Sequence, residues 1–345
     1  MKWIGITLLV IVLLVVGAIS STIGWRPFMG PKARPLTERK FGVTPERLAR
    51  GKYMTENVLD CFACHSQRDW TKHDAPLIPG TEGGGQGPFP LEGLPGKVYA
   101  PNISPDKETG AGNWTDDQLA RAIREGIGHD GRALFPMMPY ENYRHLSDED
   151  LASVIVFLRS LRPVHHVVPR ADLIFPVNYL IRGVPQPIDA PVPPPELSTP
   201  VKRGDWLVRV AGCRDCHTPQ KNGQPLRGLD LAGGGVMQGP WGYVASANIT
   251  PDPSGISYYD ENLFLYVMHT GYVKARKLAP IMPWWAHRGM TDEDLKAMFA
   301  YLRTVPPIKH RVDNTEPPTP CEVCRFVHGA GDKELTRISA SRREN

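Results

Sequence analysis

Strong net charge is the first thing this chain lacks. Its 40 Lys and Arg are nearly balanced by 36 Asp and Glu, leaving a formal +4 over 345 residues. So slight an excess argues against a nucleic-acid or strongly acidic partner. A phosphate-binding loop is also missing, because the Gly-rich stretches Gly83-Gly84-Gly85 and Gly233-Gly234-Gly235 fit no such pattern. Beyond residue 25 there is no long apolar run. The best later stretch, Leu173 to Ile181, is too short and too interrupted to span a bilayer, and is expected to pack on a domain or a partner subunit. Glycine and proline are plentiful instead, at 33 and 35 residues, which points to loop-rich domains.

The N-terminus supplies the one long apolar run. Ile4 to Ile19 is uninterrupted and uncharged residues continue to Trp25, about the 20 residues a bilayer core requires. Ala18-Ile19-Ser20 would suit a signal peptidase. The run nevertheless exceeds the h-region of a signal peptide, and Trp25-Arg26 resembles an interfacial belt, so a retained anchor is favoured.

All six cysteines fall into three Cys-x-x-Cys pairs, and two of these continue into His: Cys61-Phe62-Ala63-Cys64-His65 and Cys213-Arg214-Asp215-Cys216-His217. Cys-x-x-Cys-His is the attachment signature of a c-type haem. Two thiols one helical turn apart can add to the two vinyl groups of a porphyrin while the next residue turns its imidazole to the iron. A zinc or redox Cys-x-x-Cys that happens to precede His is the bland alternative for one copy; two copies in matching surroundings argue against it. The third pair, Cys321 and Cys324, is followed by Arg325, with only 21 residues left, so haem attachment is not expected there. A disulfide is the first reading of that pair in an oxidising compartment, and metal binding with His328 and outside ligands the second.

The surroundings repeat. Arg50-Gly51-Lys52-Tyr53 and Arg203-Gly204-Asp205-Trp206 precede the two motifs, and a Gly-rich loop follows each. Next come Asn102-Ile103-Ser104-Pro105-Asp106 and Asn248-Ile249-Thr250-Pro251-Asp252, then Met138-Pro139-Tyr140 and Met282-Pro283-Trp284. Both copies end in a helix begun by Ser147-Asp148-Glu149-Asp150-Leu151 or Thr291-Asp292-Glu293-Asp294-Leu295, with a capping hydroxyl and acids that complement the helix dipole.

An iron held by His65 or His217 has a second axial position to fill, and the repeat nominates Met138 and Met282. Alignment of the copies selects Met138 over Met137. His129 and His269 are the first substitutes should a Met not serve. Met29, Met54, Met237, Met268, Met290 and Met298 lack the repeated setting and are read as core fillers. His/Met ligation closes both axial positions and raises the potential relative to two nitrogen ligands. Each proximal His is expected to donate its other ring N–H to a carbonyl.

These motifs resemble class I cytochrome c domains in tandem, and the whole is similar to membrane-anchored cytochrome c subunits of bacterial periplasmic dehydrogenases of the alcohol, aldehyde and gluconate type. The resemblance covers roughly 44–312. It implies a mainly α fold, two domains of a few helices around a covalent haem, with first and last helices crossing near it. Two covalently bound haem c groups are implied, attached through Cys61, Cys64, Cys213 and Cys216, with His65, Met138, His217 and Met282 as axial ligands. Many members have three haems and a C-terminal membrane segment, whereas this chain has two motifs and an N-terminal run.

The expected division is a membrane anchor or signal segment over 1–25, a linker over 26–43, domain 1 over 44–170, a semi-rigid Pro-rich linker over 171–198, domain 2 over 199–312 and a tail over 313–345. The expected function is single-electron transfer in the periplasm, tethered to the inner membrane, without catalysis of its own. The donor would be a dehydrogenase or a quinol-oxidising complex, and the acceptor an oxidase, a soluble cytochrome or a quinone. The competing reading is a dihaem enzyme of peroxidase or thiosulfate dehydrogenase type with one catalytic haem.

Overall fold

The computed structural model describes residues 2–329; the end of the 313–345 tail lies outside the described residues. The N-terminal run forms one helix, α1 (Lys2–Ser21), long and apolar enough to cross a membrane and, among the described residues, covered by nothing else. A short helix α2 (Arg26–Met29) follows, then an extended arm.

Two sets of helices come next, in the same order. The first is α3 (Pro45–Tyr53), α4 (Cys61–Cys64), α5 (Asp116–Glu125), α6 (Tyr140–Tyr143) and α7 (Asp148–Ser160). After α8 (Val177–Leu180), the second is α9 (Pro200–Val210), α10 (Cys213–His217), α11 (Glu261–Thr270), α12 (Trp284–His287) and α13 (Asp292–Leu302). Among the described residues, strands are confined to two-stranded ribbons. Local chemistry sets the helix starts. Thr44 and Thr199 cap α3 and α9 ahead of a proline, and Ser147 and Thr291 cap α7 and α13. Each hydroxyl accepts a backbone N–H that the first turn leaves unpaired.

The first and last helices of each set cross at a glycine. A Cβ on Gly51 would lie 1.9 Å from the Ser153 carbonyl oxygen, and one on Gly204 would lie 1.9 Å from that of Ala297. The neighbouring arginines close the joint: Arg50 Nε donates to Asp150 Oδ1 at 2.8 Å and Arg203 Nε to Asp294 Oδ1 at 2.6 Å. The repeated Arg-Gly and the repeated Asp-Glu-Asp are thus two sides of one helix crossing.

The two halves pack on each other around a shared core, in which Val154, Ile155 and Leu158 of the first join Trp206, Leu207 and Leu295 of the second. Reciprocal contacts border it. Tyr53 of α3 donates to Asp294, and Trp206 of α9 donates Nε1 to the His145 carbonyl at 3.2 Å. His287 of α12 donates Nδ1 to the Asn57 carbonyl at 2.8 Å, and Asn142 of α6 donates to Asp215 Oδ2 at 2.7 Å. Each half therefore sets the short helix after its Met-Pro turn against the other's approach to Cys-x-x-Cys-His.

Two expectations change. The 26–43 segment, expected as a linker, is docked along its length: Arg34 makes a bidentate pair with buried Asp117 at 2.7 and 2.8 Å and reaches Glu125 at 2.8 Å, while Thr37 and Phe41 donate backbone N–H groups to Asp117 and Asp116. Direct packing of the halves limits their separation, so the stiffness of 171–198 is not what holds them. That segment is docked as well, through pairing of Asp172–Leu173 with Gly96–Lys97 and a hydrogen bond from Asp148 N to Val192 O at 3.0 Å. Of the apolar stretch inside it, Leu173, Val177 and Ile181 are half-buried, while Ile174 and Phe175 are exposed in this chain.

Candidate functional site

Each Cys-x-x-Cys pair lies on a helical turn, α4 or α10, entered through a left-handed residue, Asp60 (φ 49°) or Gly212 (φ 69°). A helix brings residues three apart to one side, so the two thiols of each pair share a face. All four stand free and partly exposed. His65 and His217 follow directly. His65 Nδ1 lies 2.8 Å from the Pro101 carbonyl oxygen and His217 Nδ1 lies 2.7 Å from that of Ala247. A carbonyl can only accept, so Nδ1 carries the proton and the Nε2 lone pair is left for another partner. Burial lowers the pKa of both imidazoles, with the carbonyl bond opposing in part. His217 has some open ring surface yet is surrounded closely enough to feel the same effect. Both are therefore neutral near pH 7, as a metal ligand must be.

The accepting carbonyls belong to residues just before the two Asn-Ile-Ser/Thr segments, and the asparagines hold those segments in place. Asn102 donates Nδ2 to Val164 O at 2.7 Å, and Asn248 donates Nδ2 to Ile308 O at 2.8 Å, each clamping the strand of chain that leaves the last helix. The Gly-rich loops meet the same segments, in a register the triplets do not suggest. Gly85 N donates to His65 O at 2.8 Å, and its counterpart is Gly233 N donating to His217 O at 2.7 Å. Both glycines have positive φ, at 78° and 74°, and a Cβ on either would strike the backbone around Pro101 or Ala247. Gly83 therefore matches Leu231, and Gln86 matches Gly234.

Met138 and Met282 sit in equivalent turns, each N–H bonded to the carbonyl three residues back, at Phe135 or Ala279. Both are half-buried against the core. Met54, Met268, Met290 and Met298 are buried fillers, whereas Met29 is exposed and Met237 half-buried in a ribbon, so these two depart from the core assignment. The candidate substitutes are engaged elsewhere: His129 stacks on Trp114 at 4.2 Å, and His269 bonds the Arg288 carbonyl and Asp292. The expected disulfide does not form. Cys321 and Cys324 are free thiols, and they meet His328 and a histidine that sequence reasoning missed, His310.

A family model for cytochrome c matches residues 48–162. The chain is 32% identical to a diheme cytochrome c-type protein of Cereibacter sphaeroides, over 72% of this chain and 83% of that protein. The chain belongs to the cytochrome c family. This cytochrome is also 31% identical to the fructose dehydrogenase cytochrome subunit of Gluconobacter japonicus, over 80% of its own length and 56% of that protein. It is 27% identical to the cytochrome c subunit of the quinone alcohol dehydrogenase of Gluconobacter oxydans, over 76% of its length and 55% of that protein. It thus spans about half the length of those two relatives. Family membership implies covalent haem c, and the residues present fit it. Paired thiols on one turn and a neutral imidazole with Nε2 free are the donors such a group needs.

Proposed function

We propose that this cytochrome is a membrane-tethered, periplasmic dihaem protein that passes single electrons from a dehydrogenase to a respiratory acceptor. Cys61 and Cys64 would attach one haem and Cys213 and Cys216 the other, within tandem domains over 44–170 and 199–312. His65 with Met138, and His217 with Met282, would be the axial ligands. The bound groups supply reversible one-electron chemistry at iron. The chain's own part is to present Nε2 of each histidine through the Pro101 and Ala247 carbonyls, to carry the methionines on matched turns, and to exclude water with the shared core.

The observation that carries the reading is the duplication of the whole proximal arrangement, from attachment cysteines to histidine to accepting carbonyl, at nearly the same distance in both halves. Two complete sites with a Met turn each favour carriers over an open, substrate-binding iron. The dehydrogenase partner is supported by the names of the relatives, which are cytochrome subunits of such complexes. The tether is supported by α1 and by the exposed Trp25, Phe28 and Met29 that follow it.

The test is a reduced-minus-oxidised spectrum of the membrane-extracted protein, with haem quantification and the weak long-wavelength Met-to-iron band recorded in the oxidised state. Two haems per chain, both with that band, are expected. A haem without the band that responds to peroxide or thiosulfate would overturn the carrier reading in favour of an enzyme.

A further inference from the structure

The third cysteine pair lies beyond the repeat and outside both attachment sites. It belongs to a small hairpin in which Thr319–Pro320 pairs with Val327–His328. The turn between them is closed by Cys321 N donating to Phe326 O at 2.8 Å and Arg325 N donating to Cys321 O at 3.0 Å. Arg325 has φ 66°, an uncommon conformation for a residue with a Cβ. The turn directs both sulfurs towards His310, which comes from the segment after α13, and towards His328 on the returning strand. His310 Nε2, Cys321 Sγ, Cys324 Sγ and His328 Nε2 all lie within 4.8 Å of one another.

We infer that these four side chains form a structural zinc site of Cys2His2 type. A zinc tetrahedron with Zn–S of about 2.3 Å and Zn–N of about 2.0–2.1 Å has edges of roughly 3.3–3.8 Å. Two edges are already near that length: His310 Nε2 to Cys321 Sγ is 3.3 Å and Cys324 Sγ to His328 Nε2 is 3.1 Å. His310 Nδ1 donates to the Ala232 carbonyl at 2.9 Å, which fixes the tautomer and aims Nε2 at the sulfurs. Soft sulfur and imidazole donors without a carboxylate select zinc over the oxygen-preferring divalent ions. With four protein ligands the shell is closed, as in structural rather than catalytic sites. Cys324, His310 and His328 are buried. A disulfide would consume both sulfurs and leave the Nε2 atoms of two buried imidazoles facing it without a metal to bind.

The backbone beside the cluster keeps side chains out of it. Gly234, at φ 89°, closes one side, and a Cβ there would stand 2.6 Å from His310 Cε1, 3.1 Å from His328 Nε2 and 3.3 Å from Cys324 Sγ. The hairpin has two-residue strands and only a small apolar cluster beneath it, around Leu229 and Ala232. A piece that small needs a staple to stay folded. Binding would release the two thiol protons to solvent and convert metal affinity into folding free energy. The staple would also act on the second attachment site, because the loop it fastens is bonded to that motif. Gly233 N donates to His217 O, while Ser246 Oγ accepts from Gly235 N and donates to Cys216 O at 2.7 Å.

The experiment is elemental analysis of the full-length protein, purified without chelator, with zinc and iron quantified on the same sample. One zinc per chain is expected, with an absorption-edge spectrum fitted by two sulfur and two nitrogen neighbours. In the C321S/C324S protein zinc should fall at least tenfold while iron stays at the wild-type level. If that variant does not accumulate, a mercurial thiol reagent added to the wild-type protein should release one equivalent of zinc to a colorimetric chelator. A wild-type protein with its full iron, no zinc and a chain lighter by two hydrogens at Cys321 and Cys324 would overturn the inference in favour of a disulfide. Zinc retained in full by the double variant, or copper in its place, would overturn it too.

Discussion

One residue past the glycine they share, the two halves part. The first places Gln86 there, whose side-chain amide donates to the Ala63 carbonyl inside the attachment motif at 2.6 Å. The second places Gly234, and the space a side chain would have taken opens onto His310, Cys324 and His328. One step away the halves keep the same bond: His166 hydrogen-bonds the Gly84 carbonyl in the first half, and His310 the equivalent Ala232 carbonyl in the second. These histidines stand seven residues after Arg159 and Arg303. One position therefore serves as a loop brace in the first half, and in the second as a brace that also faces two thiols. The first half gains its extra support elsewhere, from the arm that carries Arg34 to Asp117 and Glu125. The parts that meet the proposed haems are held alike, and the outer fastenings differ.

The comparison breaks most completely at the cysteines. Replacing Cys61 and Cys64 by Ser, or Cys213 and Cys216, should each lower covalent haem from two per chain to one, read by pyridine haemochrome assay. Loss of both haems from either variant would mean the halves cannot mature separately. The glycine joints come next. Gly51→Val and Gly204→Val put a side chain where a carbonyl oxygen already stands, and each should cost about 3 kcal/mol or more, measured by denaturant unfolding. Similar losses would confirm that the joints are equivalent.

Arg34→Met probes a fastening only the first half has. Removing the cation leaves buried Asp117 with only Thr37 and the more distant Arg39, whose Nε is 3.9 Å away, a loss of about 3 kcal/mol. Burial alone would raise the Asp117 pKa, but hydrogen bonds from Arg34 and Thr37 bring it down to about 2. A carboxyl lowered in this way stabilises the fold above its ordinary value near 4, and that contribution disappears as the pH falls towards 2. The variant should accordingly begin to unfold at higher pH than the wild type in an acid titration followed by circular dichroism. Tyr53→Phe is the mildest change. It removes two hydrogen bonds across the interface, the one donated to Asp294 and the one accepted from Thr291 N, and should cost about 1–2 kcal/mol; Trp206→Phe, its counterpart, loses the bond to His145 and buried ring volume in the shared core as well, so it should cost more in the same unfolding assay.

Much of this architecture was legible in the chain. The capping hydroxyls, the Cys-x-x-Cys-His turns and the Met-Pro turns are local, and local chemistry fixes them. The resemblance anticipated the helix crossing, but the need for Gly51 and Gly204 became plain only with Ser153 and Ala297 opposite. The glycine triplets misled because register is set by the bonds from Gly85 and Gly233 to the His65 and His217 carbonyls and not by the run of glycines itself. His310 was missed for a related reason. It stands eleven residues before Cys321, and only the fold of the hairpin back onto the second half brings them together. The docking of the 26–43 arm depends on acids in α5, some 80 residues further on.

The reciprocal contacts between the halves have the form of a two-fold dimer interface, in which the same patch serves on both sides. Here the partners are joined by residues 171–198. A tether of that kind replaces an encounter between molecules with a high and constant local concentration. Assembly of the pair is then insensitive to how much protein the cell makes. Because the copies are no longer identical, each can also be altered alone, which is how one half could come to hold a thiol cluster and the other a docked arm.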